Sequence, residues 1–356
     1  MIQARLRKRF PPSREAAEFT LDVEFGAETG VTVLFGPSGA GKTLTLDCIA
    51  GFIQPEEGRL LLDDTILFDA ASGVNLPPQR RHCGYVFQNY ALFPNMTLRE
   101  NLAFAADRRP RLERHRKVNE MLERFRLADV AGRRPHEVSG GQKQRCSIAR
   151  ALIGAPRLLL LDEPARGLDA VLRQELYEVL RQVRAEFSIP VLLVTHDLEE
   201  CFELGEEMLI LRDGRIVQSG APARILEQPA NLEVARLLGL FNLLPVEIKA
   251  LDPAAGTSHL RIEDSILQGP YFPGRLRGDR VWLFIRPEQL KAVPRDGNPG
   301  ANQLSASLVR ATERAQYVRL EFASGVAVHT PWQDFERHRH NKEWLIEFPS
   351  QALRVL

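Results

Sequence analysis

No stretch of this 356-residue sequence approaches the roughly 18 apolar residues that a membrane-spanning helix requires. The opening, MIQARLRKRFPPSREAAEF, also lacks the apolar core of a secretory signal, so any service to a membrane is expected to be peripheral. Charge of one sign is missing too: 47 Lys and Arg face 46 Asp and Glu, a formal net charge of +1. No long-range field therefore draws in nucleic acid or an anionic membrane surface. The one dense basic run, residues 108–117, follows Asp107, encloses Glu113 and sits where a helical pattern begins, so it reads as a solvated helix face. Cys48, Cys83, Cys146 and Cys201 are widely spaced with no CxxC pair, which excludes a disulfide framework and a cysteine zinc site and points to a reducing compartment. Low-complexity segments are absent, and the first two thirds of the chain show no tandem repeat.

What is present is an ordinary globular composition, 44% hydrophobic and 26% charged, on a chain long enough for one large core and a smaller one. Short runs of Val, Ile and Leu at residues 31–35, 158–161, 191–194 and 208–211 are bounded by Gly, Pro or Asp and mostly separated by helical patterns. That alternation predicts buried parallel strands in an α/β domain. Between residues 89 and 154 the strand signal disappears and helical spacing takes over, so a helical insertion is expected at about 90–154. Beyond about residue 244 the texture changes to short β-like pieces at 281–285, 305–309, 318–322 and 344–348, which predict a small β-barrel or sandwich. The expected organisation is an α/β domain over residues 1–236, then a linker near 237–245 and a β domain to residue 356.

Three motifs carry chemistry. GPSGAGKT, residues Gly36, Pro37, Ser38, Gly39, Ala40, Gly41, Lys42 and Thr43, follows one predicted strand and opens a helix. Glycines there let backbone N–H groups turn toward phosphates, the helix N-terminus adds its positive dipole end, Lys42 reaches the β and γ phosphates, and the Thr43 hydroxyl ligates Mg²⁺. LLLLDE ends a second predicted strand in Asp162 and Glu163, at the sheet edge where α/β folds bind ligands. Asp162 suits Mg²⁺, and Glu163 suits a general base that polarises the attacking water; a helix-capping acidic pair is the plainer alternative. VSGGQ places Ser139, Gly140, Gly141 and Gln142 at another helix start, either a second anion-binding end or a simple cap.

In this order the motifs resemble the ABC ATPases, with GPSGAGKT as the Walker A loop, VSGGQ as the family signature and LLLLDEP as the Walker B strand, over approximately residues 1–235. The resemblance implies a P-loop NTPase fold with a helical subdomain, an ATP hydrolase using ATP and Mg²⁺, and a head-to-tail homodimer in which Lys42 of one copy and Ser139 of the other enclose one ATP. It further implies that Gln88 in VFQ senses Mg²⁺ and touches the membrane partner, that His196 in VTHD hydrogen-bonds the γ-phosphate, and that Asp169 makes a dimer contact. Phe10 is the upstream candidate for stacking on adenine and serves equally as a core residue. Two positions depart from the pattern: Val138 stands in place of the commoner Leu, and Arg166 stands where many importers carry Ser.

NYALFP and the following MTLRENL resemble bacterial binding-protein-dependent importers, in which this region receives the permease. FIRPE and the β-like pieces after it resemble the OB-type regulatory domains of importer ATPases. The implied setting is the cytoplasmic face of the bacterial inner membrane, with transmembrane permease subunits as partners and, indirectly, a solute-binding protein. GVNLPPQRR before GYVFQ is most similar to molybdate importer ATPases; sulfate, ferric iron, polyamine and sugar importers share most of these features. Ser305, Ser307 and Thr312 are either oxyanion ligands in the β domain or ordinary surface strand positions, and the alternating His338 and His340 read as independent solvent-facing residues.

Overall fold

The computed structural model describes residues 1–12, 17–106 and 110–356, so Asp107 and the first two residues of the basic run, Arg108 and Arg109, lie outside the described residues. The chain divides into two compact units, Met1–Gln228 and Pro229–Leu356.

The first unit opens with β1 (Ile2–Phe10), β2 (Phe19–Ala27), β3 (Gly30–Phe35) and α1 (Lys42–Ala50). Four strands come next, β4 (Glu57–Leu62), β5 (Thr65–Asp69), β6 (Val74–Asn75) and β7 (Cys83–Val86). They lead into three helices, α2 (Leu98–Ala105), α3 (Arg111–Arg124) and α4 (Gly140–Ile153). The unit then runs β8 (Leu158–Asp162), α5 (Ala170–Phe187), β9 (Pro190–Thr195), α6 (Leu198–Leu204), β10 (Glu207–Arg212), β11 (Arg215–Gly220) and α7 (Pro222–Glu227).

Two sheets result. One has the order β11-β10-β3-β9-β8-β7, with every pair from β10 to β7 parallel and β11 antiparallel at its edge. Its central strands β8 and β9 are buried at every residue, as uninterrupted Leu and Val runs require when helices cover both faces. The other sheet, β2-β1-β4-β5-β6, is antiparallel and half wet. Along β1 the residues Ile2, Ala4 and Leu6 point inward while Gln3, Arg5 and Arg7 face water. Side chains from both sheets and α1 meet in one apolar cluster that includes Leu6, Leu34, Leu46, Leu60, Leu160 and Leu192. Burying such side chains stabilises the fold by about 1.5–3 kcal/mol each.

The second unit begins with α8 (Leu232–Leu238), which lies in the stretch expected to end the first domain, and β12 (Asn242–Asp252), which starts inside the expected linker. Arg236 stacks its guanidinium over Trp282 at 5.3 Å and Phe241 meets Phe284 edge-on at 5.4 Å, so both belong by packing to the C-terminal unit. The remaining elements are β13 (Thr257–Ile262), β14 (Ser265–Pro270), β15 (Arg280–Ile285), β16 (Lys291–Pro294), β17 (Gln303–Glu313), β18 (Val318–Phe322), β19 (Ala327–Thr330), α9 (Trp332–Arg337), β20 (Glu343–Glu347) and β21 (Arg354–Val355).

Where a small β-barrel or sandwich is expected, the strands form two five-stranded antiparallel sheets, β14-β13-β12-β15-β21 and β16-β20-β17-β18-β19, around a shared apolar cluster. Bulges in β12 and β17 bend them, giving the curled half-barrels of an OB-like domain. Two asparagines tie the sheets together. Asn242 donates to the Ala327 carbonyl at 2.8 Å and accepts from its N–H at 2.7 Å, and Asn302 does the same for Gln268 at 2.8 and 2.6 Å.

Candidate functional site

Strand register brings the site together. Phe35 pairs with Thr195 across β3 and β9, and Asp162 pairs with Val194 across β8 and β9. Gly36, Glu163 and His196 therefore leave the sheet side by side at its carboxyl edge.

The first wall is the loop of residues 36–43. Gly36 has no room for a side chain, because a Cβ would lie 2.1 Å from the Leu211 carbonyl oxygen. Gly39 and Gly41 take φ of +81° and +102°, a region that costs other residues about 1–2 kcal/mol. The Ala40 N–H closes the turn on the Pro37 carbonyl at 3.2 Å, while Pro37, Ser38 and Gly39 stay exposed. Lys42, the first residue of α1, is only 6% exposed, and its ammonium donates to the Gly36 and Pro37 carbonyls at 2.8 and 2.9 Å. Burial pulls its pKa down, and the negative charges of Glu163 and Asp162 partly restore it. A buried cation satisfied only by neutral carbonyls, at the N-terminus of a helix, is suited to an incoming polyanion.

Thr43 donates its hydroxyl to both oxygens of Asp162 at 3.1 Å. Burial raises the Asp162 carboxyl pKa, the Thr43 hydrogen bond works against that rise, and the charge of Glu163 adds to it. A hydroxyl and a carboxylate in contact supply the hard oxygens that Mg²⁺ prefers.

Glu163 sits at φ +45°, uncommon for a residue with a side chain. Its N–H donates to the Val194 carbonyl at 2.9 Å, which holds the strained turn against β9. Each carboxylate oxygen is engaged: Oε1 lies 3.3 Å from His196 Nδ1, and Oε2 accepts from Arg166 Nη1 at 3.0 Å. Gln88, two residues past β7, packs its amide against the same guanidinium; with the amide turned so that its oxygen meets these donors, it accepts from Arg166 Nη1 and from Nε, the latter at 3.1 Å. Lys42, Thr43, Gln88, Asp162, Glu163 and His196, scattered over 155 positions of sequence, thus share one sheet edge or a contact with a residue on it.

Ser139 caps α4, accepting from the Gln142 N–H at 3.2 Å while Gln142 Oε1 accepts from the Ser139 N–H at 3.0 Å. Ser139 is exposed, Gly140 is half-buried, and Gly141 is buried against Leu172. Asp169 caps α5, accepting from the Leu172 N–H at 2.9 Å, and is exposed. Phe10 is half-buried at the end of β1, with its ring 6.2 Å from that of Phe19. Phe19 lies against the loop itself, its Cζ 3.1 Å from where a Gly41 Cβ would be.

Several further residues hold the site together, although the sequence motifs assign them no individual role. Asn101 on α2 is fully buried; its Oδ1 accepts from the Phe93 N–H at 2.8 Å, and its Nδ2 donates to the Phe93, Met96 and Thr97 carbonyls at 3.0–3.2 Å. From α4, Ser147 donates to the Tyr90 carbonyl at 2.9 Å and Arg150 to the Ala91 carbonyl at 2.8 Å. The loop after Gln88, which turns through left-handed Tyr90 and Ala91, is thereby fastened to the helix that Ser139 caps. The signal was available in part: Asn101 and Ser147 are polar residues spaced to fall on otherwise apolar helix faces. Glu200 on α6 is the other, 3% exposed and hydrogen-bonded by the Thr195 hydroxyl just before His196.

In the second unit, Ser307 donates to Glu343 Oε1 at 2.6 Å, and Thr312 lies among Arg310, Arg314 and Arg319 on the outer face of β17 and β18. His338 packs edge-on against Trp344 at 6.3 Å, and no group of three potential ligands able to hold a metal ion occurs among the described residues.

A phosphate loop, an acidic strand end and a capped signature helix on one α/β sheet define a nucleotide-binding ATPase cassette. Comparison with known proteins extends this. The family model described as ABC transporter matches residues 20–166. The chain is 41% identical over 265 residues to the spermidine/putrescine import ATP-binding protein of Nitratidesulfovibrio vulgaris, covering 72% of this chain and 69% of that one. It is 40% identical over 216 residues to the molybdenum import ATP-binding protein of Rhodospirillum rubrum, covering 61% of this chain and 58% of that one. Among solved structures, a dimeric ATP-binding cassette in a post-hydrolysis state with ADP and Pi superposes with a TM-score of 0.54 at 27% identity, over 62% of this chain and 99% of that one. The chain belongs to the ABC transporter family. Within it, the chain is an ATP-binding subunit of the import type, an ATPase coupled to transport. Among the described residues no helix is long and apolar enough to cross a membrane.

Proposed function

We propose that this subunit powers import by hydrolysing Mg²⁺-ATP at the carboxyl edge of the β3–β9–β8 sheet. The observation that carries the reading is the strand register that puts Lys42, Thr43, Asp162, Glu163 and His196 at one edge. The loop from Gly36 to Thr43 holds the phosphates, with Lys42 turning from the Gly36 and Pro37 carbonyls to the β and γ phosphates. Thr43, Asp162 and Gln88 hold Mg²⁺, which supplies charge neutralisation on the phosphate oxygens when bound. Glu163 accepts a proton from water as the water oxygen bonds to the γ-phosphorus; the bond from that phosphorus to the β–γ bridging oxygen breaks, leaving ADP and phosphate. His196, 3.3 Å from Glu163, orients the γ-phosphate by a hydrogen bond, and Phe10 stacks on adenine.

Two copies act head to tail, with Ser139, Gly140, Gly141 and Gln142 of one closing over the ATP held by the other and Asp169 at the seam. Transmembrane permease subunits and a solute-binding protein complete the importer at the inner face of the bacterial membrane. The decisive variant is Glu163→Gln: turnover of the full chain falls about 10²- to 10⁴-fold while ATP binding persists. Retained hydrolysis refutes the assignment of Glu163.

The cargo is molybdate or a related oxyanion, on the likeness of the GVNLPPQRR loop to molybdate importers and the 40% identity to a molybdenum import subunit. A polyamine is the second reading, favoured by the 41% identity to a spermidine/putrescine import subunit. Calorimetric titration of the full chain with molybdate, tungstate, sulfate and spermidine separates them. Heat with molybdate or tungstate alone supports the oxyanion, and heat with spermidine alone supports the polyamine.

A further inference from the structure

The position that departs from the family pattern, Arg166, makes contacts that a serine side chain is too short to make. It stands three residues after Glu163, on a turn closed by its own N–H to the Glu163 carbonyl at 3.2 Å and continued by Gly167 at φ +75°. Its guanidinium donates to Glu163 Oε2 at 3.0 Å from Nη1 and, with the Gln88 amide assigned so that its oxygen faces these donors, to that oxygen from Nη1 and Nε. With Oε1 beside His196, each oxygen of Glu163 already has a protein partner. One cation therefore occupies both the group that takes the proton and the amide assigned to Mg²⁺.

We propose that Arg166 is a positioning residue that sets the resting hydrolysis rate: it holds Glu163 and Gln88 together in the nucleotide-free subunit and must leave before either acts. This rests on the reading of Glu163 as general base. The side chain is suited to leaving, since it is 58% exposed while Glu163 is 13% exposed, so water replaces its lost hydrogen bonds when it swings out. The tie is an ion pair at the surface, strong enough to bias a population and weak enough to be overcome by ligand or partner. Salt weakens it by screening.

The test is steady-state hydrolysis by the purified full chain, reading kcat and KM for ATP separately over about 50–500 mM KCl, a range across which the Debye length falls severalfold. Arg166→Ser and Arg166→Gln both remove the charge, and agreement between them, with unchanged thermal melts, guards against a folding artefact. Release of an exposed pair of this kind raises kcat about twofold to fivefold, leaves KM unchanged and flattens the salt dependence that the unmodified chain shows. Arg166→Lys restores part of the low resting rate, because an ammonium pairs with Glu163 without the fork that also reaches Gln88. An unchanged or lowered kcat in both neutral variants, with Glu163→Gln inactive, overturns the proposal while leaving the base intact. Wild-type turnover in Glu163→Gln overturns the base assignment and the proposal with it.

Discussion

Replacing Glu200 by Gln removes a charge from the interior directly beside Thr195 and His196. The residue is 3% exposed, its Oε2 accepts from the Thr195 hydroxyl, and its Oε1 has no hydrogen-bond partner among the described residues. Burial pushes its carboxyl from an ordinary value of 4.5 to about 7; the Thr195 bond opposes the rise, the charge of Asp197 adds to it, and Arg173 and His196 oppose it. At about 1.4 kcal/mol per pH unit, that displacement corresponds to about 3 kcal/mol. The sign depends on which state holds the proton more tightly. Since the folded chain does, this contribution to stability is fully present below pH 4.5 and is lost as pH rises through about 7. Glutamine reproduces the protonated acid in shape and keeps an acceptor for Thr195, so Glu200→Gln raises stability at pH 8 by about 3 kcal/mol and changes it little at pH 5. Urea unfolding of the first unit's transition in the full chain, at both pH values, reads this directly. A gain of equal size at pH 5 and pH 8, or no gain at pH 8, refutes the buried-charge argument.

The packing dictates three further outcomes. Gly36→Ala drives a methyl into the Leu211 carbonyl, so ATP affinity measured with a fluorescent analogue falls tenfold or more, about the effect of a misplaced phosphate loop; Gly39→Ala, whose Cβ meets nothing within 4 Å, costs about 1 kcal/mol from its left-handed φ. Asn101→Ala strips four hydrogen bonds from residues 93–97 and destabilises the first unit by about 1–3 kcal/mol, with faster proteolysis of residues 89–97 as the local readout. Burial pushes the Cys48, Cys83 and Cys146 thiols up to about 12 and Cys201 higher still, so a disulfide reagent at pH 8 titrates almost none of the four in the native chain and all four in denaturant.

Much of the first unit is legible in sequence for a physical reason. Strands β3, β8, β9 and β10 are buried on both faces, so their apolar runs are unbroken and correspond to the four stretches read from composition. The β1–β2–β4–β5–β6 sheet escapes that reading because it is wet on one side: β1 spends Gln3, Arg5, Arg7 and Arg9 on water, and a run that is half charged does not stand out. In the second unit four strands coincide with predicted β pieces, whereas β12 hides in a Leu-rich stretch, residues 237–251, that lacks a clean period-2 alternation.

The candidate site divides the same way. The loop of residues 36–43 is contiguous, so backbone geometry and sequence carry the same message. The tie between Gln88, Arg166 and Glu163 joins residues up to 78 positions apart, and only strand register brings them within reach. Arg166 is visible as an oddity, and Gln88 and Glu163 as motif residues; that the three touch is not.

The bonds from Ser147 and Arg150 to Tyr90 and Ala91 make α4 a lever arm. At 1.5 Å per residue, those fastening points lie about 12 and 17 Å along the helix from Ser139, so a tilt of α4 sweeps the capped end and the loop together in a fixed ratio. The loop after Gln88 and the end of the helix that Ser139 caps are therefore joined through a single helix, and where along α4 the two bonds lie fixes the length of the arm between them.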